Sequence, residues 1–469
     1  LGRHAAWADE RLVIRAMLRT GQPAAAHARL AAVDDGGRLG LLPIDLLPEL
    51  LAAVRARRGA AAADRVLDRL EQRRPVRIEL RLSAEFERRV DRYRTAVADP
   101  DAPLPRFAPS ERAIAERLGP PEPGERPATS AIRRCCAALA AIRARHAVFH
   151  PDAVTSLPDA LAVADRLAAA IERRSPLSLI RLGDGEGNFL PYAPDLERHR
   201  RADQDSIQRI WWSTGLVADD EAAQLERVLA EAIRAADIVG IPDLYRMCRA
   251  FRQDLPYNQT SRGALAVIEQ FAGAAPPPGG VAVSRPDQIV TGAHVHNAFA
   301  YWRLWDLLLP PLGRCALIAG HADAGEAIRG RFGVAVARLH LVPGERKYRA
   351  PAAAAEEAAH FPARFEELRS ALRDVGPGEV FLVAAGILGK IYCAWIQARG
   401  GIAIDVGSAL DHWRGQATRT AFEATYFTPP PGLLAAYAAR PGLDRDYPHL
   451  RPAARAAALL ERRRAPAPA

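Results

Sequence analysis

The stretch Ser178-Leu-Ile-Arg-Leu-Gly-Asp-Gly-Glu-Gly-Asn-Phe189 decides the fold of this 469-residue chain. Its short apolar run predicts a buried strand, and the glycines that follow predict a sharp turn. The turn carries two carboxylates, Asp184 and Glu186, which can converge on one cation. Oxygen ligands of this kind suit Mg²⁺ or Mn²⁺, which bridge protein carboxylates to substrate phosphates. The stretch therefore predicts a metal site at the end of a strand, with a solvated acidic turn as the alternative.

Beyond residue 155, short apolar segments alternate with segments of helical periodicity. The predicted strands are 177–182, 238–241, 315–319, 334–341, 380–385 and 402–406. Alternation of this kind predicts an α/β fold with a mostly parallel sheet and helices on both faces. Ligands of such sheets gather at the carboxyl ends of the strands.

Two further segments end or follow a predicted strand and carry polar residues. Asp405 ends the last strand, where it could bind a ribose hydroxyl, accept a proton from an acceptor, or cap the next helix. In the segment 385–390, Gly386 and Gly389 allow close backbone approach, and Lys390 adds a positive charge suited to a diphosphate. Tight packing of helix on strand is the alternative reason for these glycines.

The segment His294-Val-His296-Asn297 offers two imidazoles. No third ligand is spaced to complete a zinc site, so zinc is not expected. His296 is expected near a substrate, and a structural histidine with satisfied hydrogen bonds is the alternative.

The string Arg-Leu-Gly-Asp-Gly-Glu at 181–186 resembles the Asp-X-Glu signature of the GT-D-type glycosyltransferases. The resemblance covers roughly residues 155–420 and is supported by the segments 240–242 and 381–407. It implies a Rossmann-like α/β domain of the GT-D type. It also implies a hexosyltransferase-like transfer of a sugar from a nucleotide-diphosphate donor to a glycan, a lipid-linked or a protein-linked acceptor, as in bacterial-type glycan biosynthesis. A departure is Gly187-Asn188, where the pattern predicts an apolar residue.

The residues themselves and the resemblance together give the expected roles in the site. Asp184 and Glu186 are the expected ligands of Mn²⁺ or Mg²⁺, either both of them or one of them with the second reaching the sugar. The residues expected to be catalytic are Asp184, Glu186, Asp405 and His296. The residues expected to bind the donor are Arg181, Gly183, Gly185, Gly386, Gly389 and Lys390. Arg181 is open to a second interpretation, as the structural ion-pair partner of an acidic side chain.

Composition limits the partners and the compartment. The net charge is +9, but basic residues are spread along the chain and aromatic residues make up only 6 %, so nucleic-acid binding is not expected. A positive surface suits phosphorylated substrates, or a lipid-linked acceptor reached by peripheral contact with a membrane. No run of about 18 apolar residues and no export signal occurs. The five cysteines show no metal or disulfide spacing. We therefore expect a cytoplasmic protein, at the inner face of the membrane if its acceptor is lipid-linked.

Lysine and asparagine are almost absent from the chain. Lysine occurs only at 347 and 390, and asparagine only at 188, 258 and 297, whereas arginine occurs 62 times (64 basic residues less two lysines). A lysine kept where arginine serves everywhere else indicates a need for a compact ammonium. These five positions indicate that the active region lies between residues 188 and 390.

The predicted organisation has four parts. Residues 1–75 form a helical accessory domain that resembles a tetratricopeptide array and offers a site for a protein partner. Residues 76–150 form a helical linker with a proline-rich stretch at 101–129, residues 151–425 the catalytic domain, and residues 426–469 a tail. Two other functions stay open: a Rossmann-like methyltransferase, since 318–325 faintly resembles its glycine-rich loop, and a non-catalytic helical interaction scaffold.

Overall fold

The computed structural model of the protein describes the segments 60–72, 109–151, 157–211, 218–244, 258–273, 282–301, 304–344 and 360–416, without residues 122 and 126, and a few single residues elsewhere. Most of the predicted accessory domain and the whole predicted tail lie outside these segments. The tetratricopeptide resemblance, the protein partner and the domain boundaries therefore stay predictions.

Strands and helices alternate through the described segments. The strands are β1 (Val148–His150), β2 (Leu177–Arg181), β3 (Ile238–Ile241), β4 (Ile289–Gly292), β5 (Arg314–Ala319), β6 (Ala335–Leu341), β7 (Val380–Ala384) and β8 (Ile402–Asp405). The α-helices of the same segments are α1 (Ala60–Gln72), α2 (Ser110–Leu118), α3 (Pro127–Arg145), α4 (Leu157–Arg173), α5 (Asp184–Gly187), α6 (Arg200–Trp211), α7 (Asp219–Ala235), α8 (Gln259–Phe271), α9 (Val295–Tyr301), α10 (Trp305–Leu308), α11 (Ala324–Phe332), α12 (Phe365–Ala371), α13 (Gly386–Ala398) and α14 (Ala409–Trp413).

The strands form one sheet in the order β1-β4-β3-β2-β8-β7-β5-β6, and every neighbouring pair is parallel. The predicted α/β fold with a Rossmann-like parallel sheet is confirmed. From β2 the chain adds β3 and β4 on one side, and the last strand, β8, returns to pair with β2 on the other, with Leu179 opposite Ile404. The middle of the sheet is therefore the place where the strand order reverses.

Two hydrophobic clusters cover the two faces of the sheet. On β2, Ile180 packs with the first cluster, to which α3, α7, α8 and α13 contribute, whereas its neighbour Leu179 packs with the second, formed with α4, α9, α11 and α14. Successive side chains of a strand point to opposite faces, so a strand buried on both sides reads as a continuous apolar run. This explains why β2, β7 and β8 could be recognised in the sequence.

Some elements differ from the prediction. Strands β1 and β4 were not predicted, and the single helix predicted over 296–309 is two helices, α9 and α10, with Trp305 packed edge-on against Phe299 at 5.0 Å. Helix α2 lies inside the predicted proline-rich linker, and its Ile114 is buried in the same cluster as Ile132 of α3 and Val239 of β3. Packing is thus continuous across the predicted boundary at residue 150.

In the described part of the chain, no helix combines the length and the apolar composition needed to cross a membrane.

Candidate active site

The candidate site lies at the carboxyl ends of β2 and β8, the central neighbours of the sheet. In open parallel sheets, ligands bind in the crevice outside the strand ends at the point where the strand order reverses. The Asp-X-Glu turn follows β2, and Asp405 is the last residue of β8. The fold therefore brings together two segments that the sequence separates widely.

The turn itself is a single helical turn, α5, whose start is fixed by its own glutamate. The backbone N–H of Gly183 donates to Glu186 Oε2 at 2.8 Å. A glutamate at the third helical position that reaches back to the N-cap amide satisfies one of the donors that a helix start leaves free. Glu186 is consequently directed inward and is only 4 % exposed, whereas Asp184 is partly exposed.

Lys390 of α13 lies between two carboxylates beneath this turn. Its Nζ is 3.0 Å from Glu186 Oε1 and 2.8 Å from Asp405 Oδ2, and it donates to the carbonyl oxygen of Gly386 at 3.1 Å. Burial by itself lowers the pKa of Lys390, but the attraction of Asp405 and Glu186 outweighs it, so the pKa lies above its ordinary value. The ammonium is therefore charged, buried and fully surrounded by protein oxygens.

Arg181, at the end of β2, holds the other side of Asp405. Its Nη2 donates to Asp405 Oδ1 at 3.0 Å, its backbone N–H to Oδ2 at 3.2 Å, and its Nε to the Asp405 carbonyl oxygen at 3.1 Å. Burial raises the pKa of Asp405, but Arg181 and Lys390 together overcome this effect and hold the pKa below its ordinary value. Asp405 is thus an ionised bridge between β2 and α13.

His296 joins this group from α9. Arg181 Nη1 lies 2.8 Å from His296 Nδ1, and since a guanidinium only donates, the ring nitrogen accepts. His296 Nε2 lies 3.3 Å from Ser408 Oγ, and Trp305 Nε1 donates to the His296 carbonyl oxygen at 3.0 Å. The imidazole is buried, which matches the structural alternative; its predicted catalytic role is not tested by these contacts.

The glycine at 407 leaves room for Arg181. Its φ is +46°, and a Cβ at this position would lie 1.8 Å from Arg181 Nη2. The left-handed conformation and the close approach both require glycine here.

The backbone of the Asp184 turn is fixed by close contact with α8. A Cβ on Gly187 would lie 1.8 Å from the Gly263 carbonyl oxygen, and a Cβ on Gly263 would lie 2.1 Å from the Asp184 carbonyl oxygen. The Nδ2 of Asn188 donates to that same Asp184 oxygen at 2.8 Å. Gly187 and Asn188, which depart from the expected pattern, therefore set the position of Asp184.

A second buried group, missed by the sequence reasoning, supports Asn188. The Tyr192 hydroxyl lies within hydrogen-bond distance of Asn188 Oδ1 and, at 3.0 Å, of Asp203 Oδ2, and its one proton is shared between these two acceptors. Arg262 of α8 binds both oxygens of Asp203 at 2.6 Å. The scarcity of asparagine was the available signal for Asn188, but the sequence held no signal for its partners.

The remaining predicted residues have mainly packing contacts. Gly185 is buried in α5, and a Cβ on Gly389 would lie 3.2 Å from Val383 Cγ1. Gly386 is the first residue of α13, with a φ of +58°. Gly320 lies in the segment 318–325, which faintly resembles the glycine-rich loop of methyltransferases. It packs closely against the backbone of Gly344, since a Cβ on Gly320 would lie 3.0 Å from Gly344 Cα. Donor-binding roles for these glycines stay predictions.

A divalent cation fits this donor set through Asp184. Both oxygens of Glu186 already face protein groups, and in the described segments no cluster of three or more His, Cys, Asp or Glu side chains could hold a metal. Mg²⁺ and Mn²⁺ keep several waters and are commonly bound by one or two carboxylates together with substrate phosphates. A site formed by Asp184 and a donor diphosphate meets this requirement.

Comparison with known proteins gives one match. Residues 159–260 match the family model of the GT-D fold-like domain, a segment that runs from α4 through β2, the Asp-X-Glu turn and β3 into the start of α8. No curated protein and no solved structure matches the chain. The matched segment contains the motif that resembled this family in the sequence, and the parallel sheet around it has the expected Rossmann-like form. The chain thus carries a GT-D-like domain with a glycosyltransferase-type fold.

Proposed function

We propose that the protein is a metal-dependent glycosyltransferase that moves a sugar from a nucleotide-diphosphate donor to a glycan, lipid-linked or protein-linked acceptor. The observation that carries this proposal is the partly exposed Asp184, held in a rigid turn at the carboxyl edge of a parallel sheet within the GT-D-like segment. The close contacts of the turn with α8 hold Asp184 in one position before any ligand binds, as preorganised sites require.

Different residues of the chain would bind the metal and the diphosphate of the donor. Asp184 would hold Mn²⁺ or Mg²⁺, which when bound neutralises the diphosphate leaving group as the glycosidic bond breaks. The diphosphate would lie near the first turn of α13, because the free N–H groups of a helix start favour an anion. Lys390 is buried below that turn, so it would act on the diphosphate through its charge and not by direct contact.

The acceptor hydroxyl needs an orienting or deprotonating group. Asp405 and His296 were the predicted candidates, and both are buried in contacts with Arg181. A carboxylate whose pKa lies below its ordinary value is a weak base, so Asp405 is better suited to holding Arg181 and Lys390 than to accepting a proton. We therefore propose positioning roles for Asp405 and His296.

The acceptor and the location follow from the same proposal. A lipid-linked acceptor would bring the protein to the inner face of the membrane from the cytoplasm, and the basic surface would favour that contact. The helices of residues 1–75 would bind a protein partner. These parts of the proposal derive from composition and resemblance, and a vesicle-binding assay with anionic lipid tests the membrane contact.

Hydrolysis of nucleotide-sugars tests the central proposal. The full chain is incubated with a panel of uridine, guanosine and thymidine diphosphate sugars, with Mn²⁺ or with EDTA, and the released nucleoside diphosphate is measured. We expect hydrolysis of at least one donor with Mn²⁺, and a loss of about 100-fold or more in Asp184→Asn, comparable to the removal of one transition-state contact.

The matched control is Asp220→Asn, since Asp220 is an exposed aspartate in the first turn of α7. This variant should keep the full rate, and both variants should keep the thermal midpoint of the original chain. Unchanged turnover in Asp184→Asn, or equal rates with Mn²⁺ and EDTA, contradicts the proposal.

A further inference from the structure

The two acids of the Asp-X-Glu motif point to different surroundings. Asp184 is partly exposed at the edge of the sheet, whereas Glu186 is buried, with Oε2 bound to the Gly183 N–H and Oε1 at 3.0 Å from Lys390 Nζ. A pair that shares one metal ion would instead direct an oxygen of each carboxylate to a common open position. The arrangement therefore separates the functions of the two acids.

The Lys390 ammonium lies between the carboxylates of Glu186 and Asp405, where a metal cation would otherwise fit. A lysine ammonium has three N–H donors, and three oxygens surround this one within 3.1 Å: Glu186 Oε1, Asp405 Oδ2 and Gly386 O. A planar guanidinium is extended and cannot direct its donors to three oxygens around one point. This geometry accounts for a lysine in a chain whose basic residues are otherwise arginine with one exception.

We propose that Glu186 and Lys390 are positioning residues, and that the divalent cation is held by Asp184 and the donor diphosphate, with Glu186 outside its coordination sphere. The proposal rests on the proposed function for its cation and donor. Through Asp405, the Lys390 ammonium ties the turn after β2 to the end of β8 and to α13. Glu186 and Lys390 thus hold Asp184 and the first turn of α13 at a fixed separation, as metal and diphosphate require of their ligands.

The first experiment compares affinities for Mn²⁺. Free Mn²⁺ is counted by electron paramagnetic resonance during titration of the full chain, with Mn²⁺ alone and with UDP. We expect Asp184→Asn to raise the dissociation constant for Mn²⁺ at least tenfold, and Glu186→Gln and Lys390→Met to change it less than threefold. An increase in Glu186→Gln as large as that in Asp184→Asn overturns the proposal.

The second experiment measures the link between Glu186 and Lys390 without metal. Thermal unfolding in EDTA is compared for Glu186→Gln, Lys390→Met and the double variant. Because Lys390→Met leaves the buried Glu186 without its cation and Asp405 with Arg181 alone, we expect each single variant to lower the midpoint, and the double variant to lose less than the two losses combined. Additive losses contradict the bridge.

A positioning role also predicts an effect on turnover that stability alone does not explain. Glu111 is a matched control because it is a buried glutamate paired with Arg143 at 2.6 Å. Arg143 precedes β1, so this pair lies toward the amino ends of the strands, at the opposite end from the candidate site. At saturating Mn²⁺ and donor, and well below the unfolding midpoint, Glu186→Gln should lower kcat at least tenfold, whereas Glu111→Gln should lose stability and keep kcat. Equal kcat in the two variants overturns the positioning role.

The outcomes separate this proposal from the proposed function. If the original chain neither binds Mn²⁺ nor hydrolyses any donor, the proposed function and the metal part of the inference are both wrong. If hydrolysis requires Mn²⁺ but Glu186→Gln abolishes Mn²⁺ binding, the proposed function stands and only the inference fails.

Discussion

Replacement of Gly407 by alanine should disrupt the charged group at the centre of the site. The new Cβ would lie 1.8 Å from Arg181 Nη2 and 2.9 Å from its Cζ. Ordinary non-bonded contacts lie at roughly 3.5 Å, so the guanidinium has to move by about 1.7 Å. The displaced Nη2 is the atom that donates to Asp405 Oδ1 at 3.0 Å, so the movement breaks this buried ion pair.

Two costs combine in this variant. An alanine in the left-handed region costs about 1–2 kcal/mol, and loss of a buried ion-pair partner costs about 3–5 kcal/mol. Part of the second cost is avoided because Arg181 is displaced and not removed. We therefore expect the free energy of unfolding to fall by at least about 3 kcal/mol, together with a loss of nucleotide-sugar hydrolysis.

Gly333→Ala is the matched control for the backbone cost. Gly333 ends α11 with a φ of +70°, and a Cβ there would meet no atom within 4 Å. This variant should lose only about 1–2 kcal/mol and keep its activity. Urea unfolding at equilibrium measures both variants. A loss in Gly407→Ala no greater than that in Gly333→Ala would show that the contact between Gly407 and Arg181 does not constrain the site.

Two other predictions concern the turn and the acid limit of stability. Gly263→Ala places a Cβ 2.1 Å from the Asp184 carbonyl oxygen, so it should lower the free energy of unfolding in urea by about 1–3 kcal/mol and slow hydrolysis. Gly330→Ala, at an exposed helical position with open space, should be neutral or stabilising. Equal stability of the two variants contradicts the close contact. The pKa of Asp405 is lowered in the folded chain, so its stabilisation is complete above the unfolded pKa of about 4 and is lost as the pH falls through the folded value. The difference in stability between the original chain and Asp405→Asn should therefore shrink below about pH 4 in denaturant titrations, and a constant difference down to pH 2 would contradict the ion pairs with Arg181 and Lys390.

Much of the fold could be predicted from the sequence because a strand that is buried on both faces is a continuous apolar run. The strands β2, β7 and β8 are short apolar runs followed by polar residues, and the sequence indicates both where they lie and that candidate site residues follow their carboxyl ends. The edge strand β1 and its neighbour β4 are not marked by a comparable apolar run. Val148–His150 and Ile289–Gly292 are defined by their pairing with each other and with β3, which is a property of the tertiary structure.

The candidate site was predicted in part for the same reason. Asp184 and Glu186 lie in a local turn and could be recognised. The partner of Glu186 could not, since Lys390 reaches it only because α13 packs against β2 in the folded chain. The rarity of lysine drew attention to Lys390, whose ammonium lies within 3.1 Å of three protein oxygens. It did not indicate that the oxygens around that ammonium belong to the protein. The family pattern predicted an apolar residue at this point of the motif, where Asn188 is buried and its amide holds the Asp184 carbonyl oxygen.

The balance of charges explains why one partly exposed acid suffices for the proposed chemistry. Arg181 and Lys390 carry two positive charges, and Asp405 and Glu186 carry two negative charges, all within contacts of about 3 Å. Charges paired this closely largely cancel at the distance of a ligand, so the four buried groups add little net charge beside Asp184. A diphosphate alone would be repelled by that carboxylate, whereas a cation bound to the diphosphate is attracted to it. Under the proposed function, the buried pairs fix the turn, and Asp184 is the acid that would distinguish a metal-bound donor from a free nucleotide.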